Sequence, residues 1–333
     1  MWQTEINIIL QSFSSVYLTN FFKFITNLGG EETAIGISIV IMFGVSFRQG
    51  FILLQVCAFG RCMSDVLKII FALPRPVSVD SNVQILWKNK PNMTPLTSMG
   101  AKKFFSLLPQ ETIDYFRTHK LGSYGFPSGT STRAISFWGM VFMLYKKAWV
   151  RAFALFFIIL IPIGRLYFGR HFLADVLGSF AVSFTIIGAF YVGIYKNENL
   201  LRFLFDKKGF DLDKRLIILV IYLFMLPLTL IMVPKLTRIV MGPLLGINAG
   251  YFVLRFKGLP KDSGNIKERL FRVVIAGICY FIFIIVPISV IQYTDIPDGQ
   301  PVIIGAKILG AFMFLWSAVK INIRMGFFKY EDV

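Results

Sequence analysis

Three short segments hold most of the chemistry this chain can do. In the first, Lys68 precedes Arg75 by seven residues, two helical turns, so both project from one side. Pro74 and Pro76 bracket Arg75 and end the helix there. A compact ammonium beside a planar guanidinium fork suits a tetrahedral dianion, although alone the pair also reads as snorkelling at a membrane surface. In the second, Pro127-Ser128-Gly129 starts a helix and Thr130 follows. A helix start offers free N–H groups to an anion, Gly lets backbone approach, and Ser adds a hydroxyl; ordinary capping is the alternative. In the third, Arg165 precedes His171, and Asp175 stands four residues after it. On one helix that spacing would put the imidazole and the carboxylate on one face, the carboxylate fixing the tautomer and raising the basicity of the other nitrogen. Arg165 would complete a clamp. Arg170 would add charge or face lipid headgroups.

These segments must be positioned by a membrane protein. The chain has 333 residues, 56% hydrophobic and 16% aromatic, with mean hydropathy +0.67. Only 16% are charged, against about 25% in soluble domains. The pattern predicts an all-α polytopic bundle of about nine spans, near 33–47, 51–73, 128–146, 150–166, 173–195, 215–233, 237–255, 271–292 and 302–320. Lys and Arg crowd the loops after the odd-numbered spans, whereas loop 292–301 carries Asp295 and Asp298 and no base. That bias places those loops and the C-terminus in the cytoplasm and the N-terminus outside. All three segments then meet on the outer face. The net charge of +17 reads as this bias and as attraction to anionic lipid, not to nucleic acid. Arg61 and Asp65, at i and i+4 within the second span, read as mutual neutralisation.

Residues 6–25 show apolar side chains at helical spacing from Ile6 to Phe24, a helix lying in the interface, and no signal peptide is visible. Residues 77–126 form an outer segment too long for a turn, expected to be a lid or a substrate-facing structure; it carries Lys102, Lys103, His119 and Lys120. Cys57, Cys62 and Cys279 lie in apolar runs, and His119 and His171 are the only histidines, so neither a disulfide framework nor a His/Cys metal site is expected.

The order K-x6-R-P, P-S-G, R-x5-H-x3-D resembles the signature of the type 2 phosphatidic acid phosphatase superfamily, over roughly residues 60–180. That family includes integral-membrane lipid phosphatases, membrane glucose-6-phosphatases and the soluble vanadium haloperoxidases. The resemblance implies a family-like core over 31–196; the apolar pattern adds the interfacial helix of 1–30 before it and a four-helix membrane region over 197–333 after it. It implies that His171 attacks phosphorus and forms a phosphohistidine, and that Asp175 holds it. Lys68, Arg75, Ser128, Gly129 and Arg165 would bind the phosphoryl group, with no metal or other cofactor. The expected substrate is a lipid phosphate or diphosphate in the outer leaflet. Two positions depart from the family: Gly164 stands for a usual Ser, and Thr130 for the His that protonates the leaving group. Three explanations remain open for Thr130: a leaving group good enough to depart unprotonated, such as a phosphate; a substitute acid, His119; or retained phosphate binding without catalysis. A phosphotransferase acting on a lipid or sugar acceptor is a further alternative.

Overall fold

A computed structural model describes residues 2–88, 90–99, 106–119, 123–205, 214–232, 238–292 and 300–329. The fold is all-α. Among the described residues, five helices are long and apolar enough to cross a membrane: Ala148–Tyr167, Leu173–Tyr195, Lys214–Ile231, Ile266–Ile291 and Pro301–Arg324. Of the other expected spans, those at 33–47 and 128–146 correspond to helices of 14 and 16 residues. The chain divides into two compact units, 1–34 with 59–189 and 35–58 with 190–333.

In the first unit the N-terminal segment is two helices, α1 (Trp2–Ser12) and α2 (Val16–Leu28), instead of the single expected helix. The correction has a local cause. Ser15 is extended and its hydroxyl accepts from the Leu18 N–H, so it caps a new helix where the apolar periodicity runs on unbroken. The apolar face is exposed at Ile9, Phe13, Tyr17 and Phe24, while Asn7 and Gln11 are buried on the other side of α1.

Next in the chain come α3 (Glu31–Gly44) and α4 (Phe47–Phe71), whose residues 35–58 belong to the second unit, then the single turn α5 (Pro76–Val79), α6 (Gln110–His119), α7 (Gly129–Leu144), α8 (Ala148–Tyr167) and α9 (Leu173–Phe190). The described residues of the segment 77–126 are packed and hydrogen-bonded. Asn92 donates to the carbonyls of Asp80 and Val83, and Val79, Leu108, Ile113 and Phe172 share a small apolar core. Arg117 of α6 donates to the Phe71 and Ala72 carbonyls, capping the end of α4. Of its expected basic residues, Lys102, Lys103 and Lys120 lie outside the described residues.

In the second unit α10 (Glu198–Phe205), α11 (Lys214–Val220), α12 (Leu226–Met232), α13 (Arg238–Lys257), α14 (Ile266–Tyr280), α15 (Val286–Gln292) and α16 (Pro301–Arg324) follow. Gly242, Gly246 and Gly250 recur at every fourth position of α13 and let α16 approach its backbone. Gln55 donates to Asn248 at 2.8 Å, and Asn248 donates to the Leu223 carbonyl inside the π-helical turn Ile221–Met225. A carbonyl displaced from α-helical pairing thus finds a side-chain donor.

Candidate active site

The end of α8 builds the third segment. Its last turn closes with a paired cap: Arg170 N–H donates to the Arg165 carbonyl and Gly169 N–H to that of Leu166. Gly169 sits at φ 64°, a conformation only glycine adopts without strain. The chain therefore reverses directly after Arg165, and His171 returns beside the helix end it has just left.

His171 is not on α9, contrary to the one-helix expectation. The helix begins at Leu173, with Phe172 accepting from the Asp175 and Val176 N–H groups. Asp175 Oδ2 accepts from Phe172 N–H at 3.0 Å and faces His171 Nδ1 at 3.3 Å. One carboxylate thus caps the helix and orients the imidazole across its start. With Asp175 as acceptor, Nδ1 carries the ring proton and Nε2 keeps its lone pair. His171 is 1% exposed and Asp175 3%. Burial first, then the charges of Arg75, Arg165, Lys68 and Arg170, push the His171 imidazole well below its ordinary value. The ring is therefore neutral at neutral pH.

The cations converge on this ring. Arg165 is 7% exposed, its Nε is buried without a partner, and the side chain has no hydrogen bond or ion pair among the described residues. Arg170 is half-buried and its Nε is likewise unpartnered. Arg75, 9% exposed, precedes the turn α5 in extended conformation and donates from Nε to the Tyr124 carbonyl at 3.2 Å. Burial and the nearby charge of Arg170 hold it below the usual guanidinium range, at about 10. Buried donors without acceptors are rare, and here they belong to like-charged groups, a pattern that fits a candidate anion site.

The start of α7 closes the site from the other side. Ser128 caps the helix, its Oγ accepting from Ser131 N–H, and its own N–H donates to the Asp175 carbonyl at 3.2 Å. Ser179 Oγ donates to the carbonyls of both Ser128 and Asp175, tying α7 to α9. The capping role of Ser128 thus holds, whatever else its hydroxyl contacts. A Cβ on Gly129 would lie 2.8 Å from Lys68 Nζ and 3.0 Å from the buried, unpartnered Ser64 Oγ. Only glycine leaves room for Lys68 at the helix start. Thr130 is the second residue of α7, half-buried, and its hydroxyl has no hydrogen bond among the described residues.

His119 lies at the end of α6, exposed, and its side chain contacts only Tyr115 among the described residues. At Gly164 a Cβ would meet Thr26 Oγ1 at 2.9 Å and the Phe22 ring at 3.1 Å. Helix α2 therefore occupies the space where the family's Ser would stand.

The sequence reading missed five residues. Asn7 donates to the carbonyls of Leu166 (2.7 Å) and His171 (3.1 Å). Gln11 donates to those of Tyr167 and Gln84 and accepts from Gln84 N–H. Helix α1 thereby fastens both the histidine loop and the outer segment. Ser64, Ser179 and Arg133 complete the five; the buried polar face of α1 was the one legible signal.

The family model described as the PAP2 superfamily matches residues 49–199, which contain all three segments. That segment belongs to the PAP2 superfamily. Together with the membrane-length helices, this match supports, at the coarse level, a membrane phosphatase-type family. Neither the curated proteins nor the solved structures gave a match.

Proposed function

We propose that this chain is an integral-membrane lipid phosphatase, hydrolysing a lipid phosphate or diphosphate monoester through a phosphohistidine. The observation that carries the reading is the buried, unpartnered guanidinium of Arg165 beside a neutral, carboxylate-held His171. His171 Nε2 attacks phosphorus, and the Nδ1–H stays on Asp175, which stabilises the cationic ring that forms. Lys68, Arg75, Arg165 and the N–H groups at Ser128–Gly129 neutralise the equatorial oxygens. The fixed cations supply the charge that metal ions supply in other phosphoryl-transfer sites, so the reading calls for no cofactor. Water then cleaves the N–P bond. An apolar protein surface favours a lipid substrate drawn from the bilayer. The Lys/Arg loop bias puts the site on the extracytoplasmic face and the C-terminus in the cytoplasm, and nucleic acid has no part in it.

One observation favours a second reading. The Thr130 hydroxyl is too weak an acid to protonate a leaving group at neutral pH, which fits a phosphate-binding relative with impaired catalysis. Phosphate release by the purified protein from a panel of lipid mono- and diphosphates separates the two. His171→Ala should abolish release and Asp175→Asn should leave a small residue. Normal turnover by His171→Ala would end the covalent mechanism.

A further inference from the structure

The first-turn face of α7 carries a cation outside the three segments. Arg133 follows Thr130 by three residues and Gly129 by four, so all three share one side of the helix. A chain of ion pairs leads from it to the phosphate site: Arg133 to Glu31 at 2.8 Å, Glu31 to Arg61 at 3.5 Å, Arg61 to Asp65 at 2.7 Å, and Asp65 to Lys68 at 3.9 Å. The Arg133 Nε is buried without a partner, as is that of Arg165. The charge of Arg133 lies within electrostatic reach of both Lys68 and Arg165.

The charge balance around the site is lopsided. Among the described residues, Lys68, Arg61, Arg75, Arg133, Arg165 and Arg170 face only Glu31, Asp65 and Asp175. The surplus exceeds what one phosphate dianion needs. Arg133 lies on the Thr130 face of α7, where the resemblance puts leaving-group protonation.

We propose that Arg133 binds the leaving group, replacing proton donation by fixed charge and so selecting substrates whose leaving group is itself a phosphate. The proposal rests on the phosphatase reading above. His171 Nε2 bonds to the terminal phosphorus as the bond from that phosphorus to the bridging oxygen breaks. The bridging oxygen departs with the electron pair as part of an alkyl phosphate, which needs no proton at neutral pH. An alkyl monophosphate would instead release an alkoxide, which a guanidinium does not protonate.

The test compares phosphate release by the full-length protein in detergent from a prenyl diphosphate, the matching prenyl monophosphate and dinitrophenyl phosphate, whose aryloxide leaves unaided. The wild type should favour the diphosphate over the monophosphate. Arg133→Gln should lower kcat/KM for the diphosphate on the order of 10²-fold more than for dinitrophenyl phosphate, the effect of removing one preorganised donor. Arg133→Lys should recover part of the loss. Equal losses on the diphosphate and the aryl substrate would overturn the proposal and leave the phosphatase reading standing. A wild type that releases phosphate from none of the three overturns both. Should Arg133→Gln fail to fold, inhibition of the wild type decides: pyrophosphate should compete at least tenfold better than phosphate, and equal inhibition overturns the assignment.

Discussion

Gly129→Ala separates the stability of the α7 start from its role in phosphate binding. The new Cβ would lie 2.8 Å from Lys68 Nζ and 3.0 Å from Ser64 Oγ. Ordinary contact needs about 3.5 Å, so one partner must retreat by about 0.7 Å. The ammonium ends a flexible four-carbon stem and yields before any backbone does. Stability should therefore hold, and it could rise by up to ~1 kcal/mol, because Ala orders a helix at lower entropic cost than Gly. Activity should not hold. A misplacement near 1 Å in a phosphoryl-transfer site costs on the order of 10²-fold, so a loss of about 10- to 10²-fold in kcat/KM is expected. The assay is phosphate release from a lipid phosphate in detergent, paired with thermal unfolding of the same preparation. Gly188→Ala is the control, since a Cβ there meets nothing within 4 Å, and it should leave the rate alone. Wild-type kcat/KM in Gly129→Ala would refute the claim that Lys68 is seated against the helix start for catalysis. A sharply lower melting temperature would show that the clash falls on the backbone instead.

Three further outcomes are expected. Asn7→Ala removes donors from the Leu166 and His171 carbonyls, so it should cost about 1–3 kcal/mol in unfolding and lower kcat more than it raises KM; a pure KM effect would count against a positioning role. His171 is held neutral, its folded pKa below its unfolded one, so stability is complete above about pH 6.5 and falls as pH drops through that value toward the folded pKa. Ring-nitrogen NMR should find no titration at or above 6.5 in the free protein. Thr130→His should raise the rate on an alkyl monophosphate more than on a diphosphate, by up to the order of 10²-fold, and equal gains on both would remove leaving-group protonation as the missing function.

Local chemistry was legible in the sequence, and long-range packing was not. The all-α membrane class followed from composition, and Pro74 and Pro76 marked the helix end that presents Arg75. The break at Ser15 was not legible, because the capping hydroxyl sits within an unbroken apolar period. The expected span from 173 already put His171 ahead of α9, although four-residue spacing alone fits a shared helical face and a helix start equally well; Gly169 with the α8 cap fixes the arrangement. Asn7 and Gln11 act on carbonyls more than 150 residues away, which no spacing rule reaches. Gly164 read as a lost donor; in the fold it is the space that α2 fills.

The residues outside the three segments explain how so many cations can share one buried place. Arg165 and Arg170 repel each other and Arg75, and burial adds to the cost of each. Removing one partner from a buried charge cluster typically costs several kcal/mol, so a cluster in surplus must be held by groups that do not neutralise it. Helix α1 supplies neutral amides to the loop backbone, and Ser179 ties the start of α7 to the start of α9. Neutral hydrogen bonds order the loop without cancelling the field, whereas carboxylates would order it and extinguish the field. The three carboxylates support this division. Glu31 and Asp65 lie in the chain between Arg133 and Lys68, Asp175 turns to the imidazole, and none pairs with Arg165. Arg165, without an ion pair among the described residues, thus fits the proposed role of holding an anion that the protein itself does not provide.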